Sequence, residues 1–138
     1  MGVKQGCPLS PTLFGLCIDE LEYFINEVMR KGGDHPSIGT FTLLLLIYAD
    51  DVVLLAYNAL PLQKLQDAVH AFCNATGLSI NVAKTKIMSV HTCRNENQPI
   101  IMYDEQTLQA VESFKYLGIY VPSNHAWGSC VHNRIDAE

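Results

Sequence analysis

The sequence predicts a two-layer α/β fold with helices packed on one face of a sheet. Three observations carry that expectation. Two stretches place apolar residues at helical spacing, two aliphatic and β-branched runs flank an acidic pair, and the chain is 49% hydrophobic but only 17% charged. A length of 138 residues supports one core more readily than two, and no repeat, low-complexity tract or long Pro/Gly/Ser linker divides it, so residues 1–138 are expected to form one domain. The mean hydropathy of +0.12 predicts an unusually apolar surface for so short a chain.

The first helix is expected to start at Ser10-Pro11, because serine can cap free N–H groups and proline is tolerated in the first helical turn. Leu13, Cys17, Leu21, Phe24 and Val28 form its apolar stripe, with Asp19, Glu20, Glu22 and Glu27 between them, and Gly32-Gly33 ends it. Phe41–Tyr48 and Val52–Tyr57 read as a hairpin whose turn is Ala49-Asp50-Asp51. Pro61 opens a second helix with Leu62, Leu65, Val69 and Phe72 on one face and Gly77 as its C-cap. Lys86–His91 is the next strand. Pro99–Tyr103 and Thr107–Val111 flank a turn at Asp104-Glu105, and Ser113–Val121 is a further strand. Trp127 is expected to anchor a short helix in the tail.

Several function classes are disfavoured by composition. The longest apolar run, Leu43–Ala49 with Phe41 ahead of it, is far shorter than the roughly 20 residues of a membrane helix. The first six residues lack the apolar core of a secretory signal, so an intracellular location, cytoplasm or nucleus, is expected. Five cysteines (Cys7, Cys17, Cys73, Cys93, Cys130) have no Cys-x-x-Cys spacing, and the five histidines have no i, i+4 pair, so neither a disulfide framework nor a zinc site is indicated. Nine basic against 14 acidic residues give a charge of −5, which argues against this chain gripping nucleic acid by itself through phosphate contacts.

The chemistry concentrates at Asp50 and Asp51. Two adjacent carboxylates after an apolar strand repel each other unless a cation neutralises them. Mg²⁺ is hard, prefers oxygen, and is commonly held by one or two carboxylates plus substrate phosphates, which makes the pair suited to phosphoryl chemistry. A solvated acidic turn is the alternative that the dipeptide alone leaves open.

The order of motifs along the chain adds a resemblance. Residues 2–14, with Gln5-Gly6-Cys7-Pro8-Leu9-Ser10-Pro11 at their centre, resemble the Gln-Gly turn and Ser-Pro helix start of reverse transcriptases. Tyr48-Ala49-Asp50-Asp51 resembles the metal-binding turn of the same family. Residues 77–88, with Lys84-Thr85-Lys86, resemble its next block, and Phe114-Lys115-Tyr116-Leu117-Gly118 its primer grip. The wording of the first two blocks is most similar to non-LTR, LINE-like retrotransposon polymerases, and the four blocks cover residues 2–121 in the family's order.

The resemblance implies a partial polymerase palm whose parent enzyme is an RNA-directed DNA polymerase working by two-metal nucleotidyl transfer. Asp50 would hold Mg²⁺ or Mn²⁺ with Asp51 as a weaker ligand, and Gln5, Gly6 and Tyr48 would line the nucleotide site. Lys84 is the candidate to neutralise or protonate the leaving pyrophosphate, with Lys86 an open alternative. Phe114, Tyr116, Leu117 and Gly118 would contact the primer, Gly118 by way of a bulge or a close backbone approach. The implied partners are an RNA template, a DNA primer and a deoxynucleoside triphosphate.

The resemblance also implies a further metal-binding Asp on an upstream strand, fingers and a thumb. No room for these exists in 138 residues, so metal binding is expected to be weak and the isolated chain inactive. A non-catalytic retrotransposon-derived interaction module is the alternative. A third possibility, an unrelated Mg²⁺-dependent phosphohydrolase, needs Asp19, Glu20 or Asp104 beside Asp50.

Overall fold

A computed structural model describes residues 8–29, 36–90 and 99–123. The fold is mixed α/β, with two helices and short two-stranded sheets among the described residues. The chain divides into two compact units: one is built from residues 1–80 and 102–104, the other from residues 81–101 and 105–138.

In the first unit, α1 runs Ser10–Met29 and α2 runs Ala59–Thr76. The stripe expected on α2 is the buried one: Leu65, Val69 and Phe72 are buried, together with Ala68 and Cys73. The helix starts at Ala59, two residues before Pro61, with Asn58 at the N-cap position. Pro61 is accommodated because the first-turn N–H groups have no intrahelical acceptor. Gly77 ends the helix at φ 74°, the left-handed conformation for which glycine carries no Cβ penalty.

On α1 the expected phase is corrected. Ile18, Leu21, Ile25 and Met29 are buried, whereas Leu13 and Val28 are 56% and 50% exposed. Leu21 is buried and Phe24 packs on the core in both readings, but Cys17 is only partly buried, and the buried stripe follows the i, i+3, i+7, i+11 series beginning at Ile18. The Gly32-Gly33 stop, His35 and Trp127 lie outside the described residues.

The long apolar run also departs from expectation, because it is two strands and not one. β1 (Ser37–Ile38) pairs with β2 (Phe41–Thr42) across Gly39-Thr40, and β3 (Leu45–Tyr48) pairs with β4 (Asp51–Leu54). The break falls at Leu43-Leu44, where Leu44 is buried. The backbone changes partner there: Leu43 N–H donates to Pro36 O at 2.7 Å, toward β1, whereas Leu44 O accepts from Leu55 N–H at 2.8 Å, just past β4. Leu45, Ile47, Val52 and Leu54 pack against the buried cluster that includes Leu21, Ile25, Leu65, Val69 and Phe72. Phe24 and Phe72 touch across the helices with ring centroids 5.9 Å apart. Each fully buried Leu or Ile in such a cluster contributes about 1.5–3 kcal/mol.

β6 (Met102–Tyr103) completes the first unit. Gln63 of α2 donates from Nε2 to Met102 O at 2.9 Å and accepts at Oε1 from Met102 N at 2.8 Å, so its amide serves as a short surrogate strand.

The second unit contains β5 (Lys86–Ile87), β7 (Gln106–Thr107), β8 (Gln109–Ala110), β9 (Ser113–Tyr116) and β10 (Ile119–Pro122). β5 and β8 are parallel in the register Lys86↔Gln109 and Ile87↔Ala110, while β9 and β10 form an antiparallel hairpin. Ile87, Ile101 and Leu108 are buried there. The expected single strand Ser113–Val121 is corrected to this hairpin. Leu117 (φ 49°) and Gly118 (φ 82°) form its two-residue turn, both in the left-handed region that type I′ connections require. Lys115 Nζ sits 5.4 Å from the ring centroid of its cross-strand partner Tyr120.

The apolar surface that the hydropathy predicts is present. Tyr23, Ile38, Phe41, Leu60 and Ile100 are each more than two-thirds exposed. No helix among the described residues is long and apolar enough to cross a membrane.

Candidate functional site

The β3–β4 hairpin sets the geometry of the acidic pair. Its register runs Leu45↔Leu54, Leu46↔Val53, Ile47↔Val52 and Tyr48↔Asp51, which leaves Ala49 and Asp50 as a two-residue turn. Asp51 is therefore the first residue of β4 and not part of the turn, a correction to the three-residue turn expected. Strand alternation gives the two carboxylates different settings: Asp50 sits at the tip, and Asp51 lies opposite Tyr48 on the face away from Ile47 and Val52.

Ala49 has φ 52°, a conformation sparsely occupied by residues with a Cβ. The turn is tight because two residues must reverse a right-twisted strand pair, and positive φ at the first turn residue does so. The backbone strain sits directly between Tyr48 and Asp50.

Tyr48 is 61% exposed, and Asp50 and Asp51 are both exposed. Among the described residues no hydrogen bond or ion pair engages either carboxylate side chain. This arrangement suits a divalent ion: hard anionic oxygens, solvent access and, among the described residues, no lysine or arginine already neutralising them. The same tip also presents fewer donors than a closed metal cage, since no group of three or more His, Cys, Asp or Glu converges among the described residues. A groove of about 450 Å³ between the helices, lined by Asp19, Glu20, Tyr23, Phe24 and Phe72, does not include the tip.

Gln5 and Gly6 lie outside the described residues. Lys84, Phe114, Tyr116, Leu117 and Gly118 belong to the second unit. Lys84 is exposed in a turn that Asn81 closes: its backbone N–H donates to Asn81 O at 3.1 Å and to Asn81 Oδ1 at 3.2 Å. Phe114 and Tyr116 lie on β9, and Leu117 and Gly118 form the turn that follows. Gly118 is thus a turn glycine and not the centre of a bulge. Phe114 is 38% exposed and Leu117 48% exposed, so neither is plain core.

Neither Asn81 nor Gln109 has a role in the motif pattern of the sequence. Asn81 carries a local signal, an Asn three residues before Lys84 in a turn-forming stretch. Gln109 carries none, since it meets Lys86 across 23 positions of sequence.

Residues 1–121 match the family model described as reverse transcriptase (RNA-dependent DNA polymerase). The chain is 32% identical over 139 aligned residues to a Retrovirus-related Pol polyprotein from type-1 retrotransposable element R2 of Popillia japonica, covering 96% of this chain and 19% of that protein. It is 32% identical to the Pol polyprotein from type-2 retrotransposable element R2DM of Drosophila melanogaster, over 86% of this chain and 11% of that protein. It is 28% identical to the transposon TX1 149 kDa protein of Xenopus laevis, over 87% of this chain and 9% of that one. The chain thus spans about a fifth or less of the length of these three relatives. No solved structure matches it.

Proposed function

This chain belongs to the reverse transcriptase (RNA-dependent DNA polymerase) family, with relatives among the Pol proteins of non-LTR retrotransposable elements, and on that premise we propose that it is the metal-binding part of a polymerase palm. The parent protein copies RNA into DNA, taking an RNA template, a DNA primer and deoxynucleoside triphosphates as its partners. The observation that carries this reading is the exposed placement of Tyr48, Asp50 and Asp51 at the end of a hairpin whose Leu45, Ile47, Val52 and Leu54 pack on the buried core.

Asp50 offers the foremost anionic oxygens for Mg²⁺ or Mn²⁺, and Asp51 the next. When bound, the ion supplies charge stabilisation as the primer 3′ hydroxyl attacks the α-phosphate of the nucleotide. Tyr48 places an aromatic face beside the acidic pair, where a sugar or base can rest against it. Gln5 and Gly6 line the nucleotide pocket, the first through its amide and the second by close backbone approach. Lys84 neutralises the polyphosphate or donates a proton to the departing pyrophosphate. Phe114, Tyr116, Leu117 and Gly118 support the primer strand.

These 138 residues do not turn over by themselves in this proposal. Two carboxylates from one hairpin are a thin donor set for a pair of metal ions, and a chain of charge −5 repels a nucleic acid duplex. Basic surfaces and a further carboxylate come from the rest of the parent protein. The test is RNA-templated primer extension with Mg²⁺ or Mn²⁺. A polymerase containing these residues is expected to extend the primer and to lose extension on Asp50→Asn, while the 138-residue chain alone makes no product. Asp50→Asn leaving the larger enzyme fully active would overturn the assignment of the site.

A further inference from the structure

The turn that presents Lys84 is closed on itself and then fastened to a distant strand. Asn81 O accepts from the backbone N–H groups of Lys84 at 3.1 Å and Thr85 at 3.0 Å, and from the Thr85 hydroxyl at 3.0 Å. Lys86, just beyond the turn, folds its side chain back and donates from Nζ to Ala83 O at 2.7 Å. The same ammonium donates to Gln109 Oε1 at 2.6 Å, and Gln109 is the register partner of Lys86 in the parallel pair of β5 and β8. Two of the three N–H donors of Lys86 are thereby committed to fixed acceptors. Lys84 is exposed, and among the described residues its ammonium has no partner.

We propose that Lys86 and Gln109 form a positioning clamp that locks the Asn81–Lys86 turn onto β8 and holds the Lys84 ammonium out for a polyphosphate. The inference rests on the polymerase reading for the identity of the anion, the triphosphate of an incoming nucleotide. It divides the work between two lysines that stand two positions apart. Lys86 would have to surrender two short hydrogen bonds to neutral carbonyl oxygens before it met an anion. Lys84 surrenders only water. Fixing the backbone beneath Lys84 in advance leaves only its own side chain to be ordered when the anion arrives, which is how preorganisation strengthens a charged contact. The clamp needs the amide oxygen of Gln109 and not its volume, so an isosteric apolar residue should release it.

Competitive trace acetylation of the 138-residue chain, with each lysine quantified by peptide mass mapping, tests the clamp with inorganic tripolyphosphate as the probe. Lys86 is expected to label about fivefold more slowly than Lys84, as befits an amine that must break its hydrogen bonds to react. Tripolyphosphate is expected to slow labelling at Lys84 and not at Lys86. In Gln109→Leu, the Lys86 rate should rise toward that of Lys84 and the protection of Lys84 by tripolyphosphate should weaken. Gln109→Glu, which keeps an oxygen acceptor, should restore both. Equal labelling of the two lysines in the unaltered chain would overturn the clamp. So would protection of Lys84 that Gln109→Leu leaves untouched, because the clamp would then hold the fold without positioning Lys84. Primer extension plays no part in this experiment, so a failure of the polymerase reading shows there and a failure of the clamp shows here.

Discussion

Tyr48 and Asp51 stand directly opposite each other as the last register pair of β3 and β4, so the aromatic ring and the second carboxylate share the face opposite to that of Ile47 and Val52. Directly opposed residues on adjacent strands have Cβ atoms about 5 Å apart. An ion held by the acidic pair therefore sits beside Tyr48. Titration of the labelled chain with Mn²⁺ should broaden the amide signals of residues 48–51 first. Asp50→Asn together with Asp51→Asn should abolish that local broadening. Tyr48→Phe should leave it in place and change stability by no more than about 0.5 kcal/mol, since an exposed hydroxyl anchors nothing.

Ala49 connects Tyr48 to Asp50 with φ 52°, where a Cβ costs about 1 kcal/mol. Ala49→Gly should relieve the strain, offset in part by the greater chain entropy of glycine, and raise the urea midpoint slightly. Ala49→Val should lower it by more, because a β-branched residue tolerates positive φ least. If glycine and valine shift the midpoint equally, the turn is not strained at this residue.

The corrected face of α1 is testable by truncation. Ile25 is fully buried, and Ile25→Ala should cost about 2–5 kcal/mol in chemical denaturation. Leu13, which the apolar spacing would have placed inside, is 56% exposed, so Leu13→Ala should fall within about 0.5 kcal/mol of the parent.

The contrast between α1 and α2 shows what was legible in the sequence and why. α2 has polar residues on its outer side at Lys64, Asp67 and Asn74, so a single apolar stripe is readable, and Gly77 marks its end. α1 carries apolar residues on both sides, Leu13, Leu16 and Tyr23 outside as well as Ile18 and Ile25 inside, and spacing alone cannot choose between them. The acidic hairpin was legible because two carboxylates interrupt apolar strands. The break at Leu43-Leu44 was not, since nothing in a run of leucines marks where one pairing stops and another starts. Gly118 stands out in the sequence, but a type I′ turn needs two positive-φ residues and Leu117 gives no sign of being one. Lys86–Gln109 and Gln63–Met102, separated by 23 and 39 positions, are tertiary contacts that local pattern does not encode.

Burial pushes the Cys73 thiol above its ordinary pKa, because the apolar cluster around it disfavours the thiolate. The sign follows from proton linkage. With the folded-state value raised, the proton is held more tightly by the folded chain, so its stabilising contribution is complete below the unfolded thiol pKa of about 8.5 and declines as pH rises through the folded value. Tyr103, also raised chiefly by burial, acts in the same direction at still higher pH. Stability measured by denaturant titration should therefore fall in the alkaline range, and Cys73→Ala should flatten the first part of that decline. A slope unchanged by Cys73→Ala would assign it elsewhere.

Gln63 and Gln66 occupy neighbouring turns of α2 and should respond oppositely to loss of their amides. The Gln63 amide is fully used: Nε2 donates to Met102 O and to Asp67 Oδ1 at 2.7 Å, and Oε1 accepts from Met102 N. Gln66 is 95% buried by its 5% relative exposure, yet its Nε2 has no hydrogen-bond partner. A buried unpaired donor carries a desolvation cost of about 1–3 kcal/mol that an apolar residue of similar length would not. Gln66→Met should thus be neutral or stabilising. Gln63→Met should destabilise, by about 1–3 kcal/mol, because it removes the Oε1 acceptor of the Met102 N–H and the Nε2 donor to Met102 O. Gln63→Glu should be worse than Gln63→Met, since a carboxylate would face Met102 O and the Asp67 carboxylate with no hydrogen to offer. Urea titrations of the three variants read the order directly. Equal costs for Gln63→Met and Gln66→Met would show that the reciprocal pair with β6 carries no stability of its own.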